Sequence, residues 1–281
     1  MHRIITANIL GRPYSAAAAI VCLMLSLTAP SVARADAPLH IYAAGSLRSA
    51  VTDLLAASAI PPDLVAPPVF GPAGLLRARI EQGAPADFFA SADMGQPQQL
   101  VQRHGNHKVR MFARNRMCAL ARRSLGVTPD NLLDRMLDPS VRLVTSTPGA
   151  DPGGDYAWAI FARAGKLRPG AQNALEAKAL KLLGSSQSTQ PRPGHTQVQD
   201  LFLTHAADLM LSYCSGAPAI LRVVPDLVSV KLPPGLAVQP VYGMIVLTDS
   251  SLAERFAAFI ISQRGQAILT HSGLLPAASV D

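Results

Sequence analysis

Aromatic side chains are scarce: one Trp, five Tyr and eight Phe in 281 residues. The basic residues are scattered rather than gathered into a stripe. A nucleic-acid surface needs such a stripe, often with stacking aromatics, so nucleic acid is not expected as a partner. Cysteine is scarcer still, with three in all. Neither Cys118 nor Cys214 has a second Cys or a His at ligand spacing, so no metal site is expected. No unit repeats at a fixed period. No Gly-x-Ser-x-Gly elbow occurs: Ser46 follows Gly45, but Arg48 stands two places after it. Neither His104/His107 nor His195/His205 has helical ligand spacing with a carboxylate between, and most read as surface residues. Asp151 and Asp155 flank two glycines, without the alternating oxygen ligands of a calcium loop.

What is present begins with a leader. Arg3 and Arg12 precede an apolar run, Ala16 to Ala29, and Ala33-Arg34-Ala35 follows as a small-x-small cleavage site. That is the order of a secretory signal. The run is short for a bilayer-spanning helix, which needs about 20 apolar residues. A cleavable leader over residues 1–35 is therefore expected, with a soluble mature chain from Asp36. Three of the arginines behind the formal charge of +7 lie in the leader, so the remainder is mildly basic. Cys22 sits inside the apolar run and is not read as a lipid-attachment site. An exported compartment permits a bridge between Cys118 and Cys214, the other reading being two buried free thiols.

From Leu39 onward, short apolar runs alternate with amphipathic stretches. Leu39 to Ala44, Leu64 to Phe70 and Asp87 to Ala90 read as strands, with helices after Gly45-Ser46 and after Gly74. The pattern restarts at Met117. Further strands are expected at Met117 to Ala121, Val141 to Thr145, Leu209 to Cys214, Leu227 to Leu232 and Val241 to Leu247. Helices are expected to start at Thr128-Pro129, at about Asp155 (ending at Gly165), at Ala171 (running to Leu183), at Leu252 and at Gly265. Gly184 to Gly194 is polar and rich in Ser and Pro, a surface loop. Strands alternating with helices imply an α/β protein with mostly parallel sheets. Trp158 and Tyr156 read as core or hinge packing.

Three glycine-rich turns precede helices: Ala44-Gly45-Ser46, Gly71-Pro72-Ala73-Gly74 and Pro152-Gly153-Gly154-Asp155. Ligands in open α/β sheets bind outside the carboxyl ends of strands. Free N–H groups at a helix start attract anions. Each turn alone is ordinary, and Ser46 is equally a simple N-cap. Three together suit an anion held by uncharged donors.

Ile41-Tyr42-Ala43-Ala44-Gly45-Ser46-Leu47 resembles the opening motif of periplasmic molybdate-binding proteins. The stretch from Ile80 to Asp93 (IEQGAPADFFASAD) resembles the most recognisable segment of that family. Leu211-Ser212-Tyr213 resembles its later strand, which ends in a ligand-contacting tyrosine. The likeness is strong over residues 40–95 and thin between about 100 and 200. It implies a type II periplasmic-binding fold with two lobes, each a sheet flanked by helices, and a ligand cleft between them. The implied division is residues 36–116 and 240–281 for the first lobe and 117–239 for the second, with crossings near 115 and 240. It also implies a periplasmic, monomeric component of an ABC importer. Such a protein binds molybdate or tungstate through uncharged donors, hands it to an inner-membrane permease, and does no chemistry with or without a cofactor. Carried over, the ligand-binding positions are Ser46, Ala73, Gly153 and Tyr213, with a remaining backbone donor at His195 or Thr196.

Two departures stand out. Ala73 takes the place of a second serine, which removes a hydrogen bond worth roughly 0.5–1.5 kcal/mol. Asp155 follows the Gly-Gly pair and would repel a dianion if it faced the pocket; the alternative is a solvated residue favoured by the helix dipole. These leave open a divergent binder of another small anion or an organic solute. An exported hydrolase using Ser46 lacks a base and an orienting acid. A sensor whose closed form docks on another protein is a third reading.

Overall fold

A computed structural model describes residues 37–104 and 108–277. The expected leader at 1–35 lies outside the described residues. Along the chain the elements are β1 (Ile41–Ala44), α1 (Arg48–Ala57), β2 (Val69–Gly71), α2 (Ala73–Glu81), β3 (Phe88–Ser91), α3 (Gly95–His104) and β4 (Arg110–Arg114). Then follow β5 (Met117–Arg122), α4 (Leu132–Leu137), β6 (Leu143–Ser146), α5 (Pro152–Leu167), α6 (Ala171–Lys178), β7 (Leu180–Leu183), α7 (Gln197–Leu203) and β8 (Leu209–Tyr213). The last are α8 (Ala217–Val223), β9 (Leu227–Lys231), β10 (Val241–Val246), α9 (Ser251–Ile261), α10 (Gln263–His271) and β11 (Leu275–Pro276).

These strands make two sheets. The first has the order β11-β4-β10-β3-β1-β2 and the second β7-β6-β8-β5-β9. β1 and β3 are buried at every residue. Their apolar runs do not alternate because helices cover both faces. Phe88 of β3 packs edge-on to Phe256 of α9, ring centroids 5.2 Å apart. The second sheet carries two separate apolar clusters, one with Leu143, Phe161 and Leu209, the other with Val144, Met210 and Phe202. Neighbouring residues of β6 and β8 fall in opposite clusters, as the two-residue period of a strand requires.

Each sheet is mixed rather than mostly parallel. The βαβ units give the parallel pairs: β1 with β2 and β3, and β6 with β7 and β8. The antiparallel pairs come from the strands that carry the chain between the sheets. β4 ends at Arg114 and β5 begins at Met117, so only Asn115 and Arg116 span that crossing. β9 and β10 flank the return. β10 runs against β3 and β4, and β5 against β8 and β9.

Three local expectations changed. The helix expected through Leu183 stops at Lys178, and Leu180–Leu183 is instead an edge strand paired with β6. Its Leu-Lys-Leu-Leu run fits either period, and the open edge of β6 decides. α5 starts at Pro152 and passes through Gly165. A Cβ at Gly165 would sit 2.9 Å from Gln172, so glycine there lets α6 close in rather than ending the helix. Thr128-Pro129 is a turn: Thr128 N–H donates to Asn131 Oδ1, and the helix begins only at Leu132. Such local side-chain bonds compete with helix start.

Cys118 and Cys214 are joined in a disulfide, Cα atoms 5.2 Å apart, across the antiparallel pair of β5 and β8. The bridge closes a loop of 96 residues at the crossing. Replacing both cysteines by serine is expected to lower unfolding stability by about 2–4 kcal/mol in chemical denaturation. The unreduced wild-type protein from Asp36 onward, unfolded, should show no free thiol.

Candidate functional site

Glycine and serine after β1 turn the chain sharply, and Ser46 sits in a single 3-10 turn at Gly45–Leu47, its residue exposed. Ser46 Oγ lies 3.1 Å from the hydroxyl of Tyr242. Tyr242, in β10, is fully buried. Its hydroxyl accepts from Asn115 Nδ2 at 3.0 Å. The same Asn115 amide donates to Ser215 Oγ at 2.9 Å. Asn115 Oδ1 accepts from Arg116 N–H, and Asn115 N–H donates to Pro240 O. With the Asn115 amide donating to the Tyr242 oxygen, the phenol proton can go to Ser46 Oγ. The Ser46 proton is then free to point outward.

Tyr213 ends β8 on the other sheet. Its ring lies edge-on to Tyr242 at 5.9 Å and to Tyr156 at 6.3 Å. The Tyr213 hydroxyl is buried and has no hydrogen-bond partner; among the described residues Thr145 Oγ1 is a second hydroxyl of this kind. Burial and the neighbouring Tyr242 and Asp151 push the Tyr213 phenol well above its ordinary pKa, so it is a donor throughout the physiological range. Tyr156, on α5, donates to Ala92 O and accepts from Val241 N–H, both at 3.2 Å. Burial raises its pKa to about 12. These bonds tie α5 to the end of β3 and the start of β10.

The two helix starts are engaged by the protein itself. Gly74 N–H donates to Ala150 O at 3.0 Å, joining α2 to the loop before α5. A Cβ on Gly74 would lie 2.6 Å from Gly149 O, so only glycine allows this approach. Ala73, the first residue of α2, is wholly buried. At α5 the N-cap is Asp151, whose Oδ1 accepts from Gly153 N–H at 3.2 Å. The chain thus supplies its own anion where the helix dipole favours one. Burial, the largest effect, raises the Asp151 pKa, with Asp155 and Asp93 adding repulsion. Folding therefore favours the protonated carboxyl, and ionising it as pH rises costs stability. Asp155 is exposed and accepts from Gly149 N–H at 2.8 Å, so it closes the loop ahead of its helix. Among the described residues, no Lys or Arg side chain bonds to Ser46, Tyr213, Tyr242, Asp93 or Asp151.

A family model for bacterial extracellular solute-binding proteins matches residues 39–275. The chain belongs to that family. An uncharacterized protein of Pasteurella multocida (strain Pm70) is 35% identical over 240 residues, covering 85% of this chain and 99% of that protein. Among solved structures, the sulfate-binding protein of Mycobacterium tuberculosis H37Rv superposes with a TM-score of 0.68 at 16% identity, over 86% of this chain and 88% of its own. The periplasmic molybdate-binding protein of Azotobacter vinelandii does so at 0.65 and 17% identity, over 84% and 98%. At such identities these two show the fold alone. No helix among the described residues is long and apolar enough to cross a membrane.

For a solute-binding protein, the layout brings four of the five expected positions toward one another. Ser46 meets Tyr213 through Tyr242. Gly153 lies beside Tyr213, whose Cε2 would be 3.7 Å from a Cβ placed there. Ala73 is next to Gly74, which touches the same loop. His195 lies elsewhere in the bonding pattern: it precedes the Thr196 cap of α7 and pairs with Asp200 at 3.1 Å, as does Arg192. Sequence reading missed Tyr242, Asn115 and the capping role of Asp151. Tyr242 and Asn115 are 127 residues apart, and no local pattern marks either.

Tyr242→Phe strands the Asn115 amide, so it should destabilise the ligand-free protein by about 1–2 kcal/mol. Tyr213→Phe removes a buried hydroxyl with no partner and should leave the melting temperature unchanged or higher. Equal losses for the two would show that the Tyr213 hydroxyl is bonded after all.

Proposed function

We propose that this solute-binding protein captures a small oxyanion between its two lobes in the periplasm and delivers it to an ABC permease. The observation that carries this reading is the buried, unpartnered hydroxyl of Tyr213, set between the Ser46–Tyr242 pair and the start of α5. Leaving a buried hydroxyl unpaired costs about 1–3 kcal/mol, a cost that a bound acceptor removes. Ser46, with its proton freed by Tyr242, supplies a second uncharged donor. Ala73 and Gly153 complete the wall as small residues that let a ligand approach the backbone. The resemblance to molybdate-binding proteins favours molybdate or tungstate. His195 stands apart from this set, its Nδ1 near Asp200 at the start of α7.

A second reading, a small organic solute, is favoured by Asp151. At the start of α5, where a helix dipole would favour an anion, the chain already places a carboxyl of its own.

The test is thermal unfolding of ligand-free protein with molybdate, tungstate, sulfate and phosphate. A ligand at about 100 times its Kd stabilises by about 2.7 kcal/mol. Ser46→Ala and Tyr213→Phe should each weaken the binding of any stabilising anion at least several-fold while the fold is kept. Undiminished affinity in both variants would remove this centre from the site. No shift with any oxyanion would turn the question to organic solutes.

A further inference from the structure

Tyr213 is the last residue of β8, and its ring meets Tyr242 and Tyr156 edge-on. Its hydroxyl has no partner, so no bond at the tip of the side chain fixes it. The place of that hydroxyl is set from the backbone end. There Tyr213 pairs with Met117, the first residue of β5, in the antiparallel ladder. The next residue, Cys214, donates its N–H to Arg116 O at 2.9 Å and opens a single 3-10 turn, Cys214–Gly216. The last pair of a ladder frays unless something holds it.

The disulfide holds it. Cys118 stands one residue inside the Met117–Tyr213 pair and Cys214 one residue outside, so the bridge crosses that pair diagonally. Successive side chains of a strand point to opposite faces, which puts the bridge on the face away from the Tyr213 ring. It fixes the backbone there without taking up room beside the hydroxyl. One residue further on, Ser215 Oγ accepts from the Asn115 amide at 2.9 Å, and Ser215 Cα lies 3.1 Å from where a Cβ on Gly273 would be. The turn after Tyr213 is thus tied to the crossing and packed against the loop after α10, with the bridge as its covalent link to β5. Loop-closure entropy grows only slowly with length, so a bridge elsewhere between these two strands would stabilise the fold about as well. What this placement adds is a fixed end for β8.

We propose that the Cys118–Cys214 bridge is a positioning element of the binding site, holding the Tyr213 hydroxyl where a bound oxyanion accepts from it. This rests on the oxyanion reading above. The bridge acts on Tyr213 and not on Ser46, which is bonded to Tyr242 of the first sheet.

A double-mutant cycle separates positioning from a general effect on stability, because groups that act through one another give non-additive losses. Affinities for molybdate, tungstate, sulfate and phosphate are measured by calorimetry on the bridged protein and on the Cys118→Ala, Cys214→Ala double variant. Each is taken with and without Tyr213→Phe or Ser46→Ala, and circular dichroism checks that each is folded. Loss of the bridge alone should weaken the anion that the bridged protein binds best by about tenfold, the worth of one hydrogen bond. Tyr213→Phe should cost about tenfold with the bridge and less than about twofold without it, while Ser46→Ala costs the same in both. Bridged protein reduced with a water-soluble phosphine, in sucrose to favour the folded state, replaces the double variant if that does not fold. Unchanged affinity without the bridge, an equal Tyr213→Phe loss in both backgrounds, or equal erosion of the Ser46 and Tyr213 losses overturns the inference and spares oxyanion capture. So does a chain that folds by neither route, which makes the bridge a requirement of the fold. If none of the four anions binds the bridged protein, the oxyanion reading fails and this one with it.

Discussion

Asn115 is a polar side chain 1% exposed at the point where the chain leaves one sheet for the other. A buried amide must be satisfied, and here each bond reaches a different part of the molecule. Its backbone N–H holds Pro240 at the return crossing, and its side chain holds Tyr242 of the first sheet and Ser215 just past the second sheet's β8. Both chain crossings, both sheets and the candidate site therefore meet on one residue. The disulfide from Cys118 to Cys214 brackets the same place. The two crossings are thereby pinned together.

That constraint propagates to the cleft. The Tyr242 hydroxyl, held by Asn115, is hydrogen-bonded to Ser46 Oγ. Tyr156, Tyr213, Tyr242 and Phe112 form an edge-to-face row that spans the gap, and Tyr156 adds bonds to Ala92 and Val241. Gly74 to Ala150 supplies a backbone contact between the lobes.

Asp151 places a carboxyl of the chain's own at the N-terminus of α5. Asp155, the residue that drew attention in the sequence, only closes its own loop. The distinction is geometric: Asp151 is the N-cap, so its side chain folds back over the free N–H groups, whereas Asp155 lies a turn further on and looks to solvent.

The α/β alternation and the glycine-rich turns before helices were legible in the amino-acid order, because strand and helix periods and turn chemistry are local. The resemblance of their segments singled out Ser46 and Tyr213 as candidate positions. Sheet order was not legible, since antiparallel pairing of β5 with β8 and β10 with β3 joins residues far apart in the chain. Nor was β7, whose short run becomes a strand only because β6 offers it an edge. The Ser46–Tyr242–Asn115 chain and the cap made by Asp151 were decided by tertiary structure alone. Hydrogen bonds between side chains 127 and 196 residues apart follow from where the sheets put them, and no short-range pattern encodes that placement.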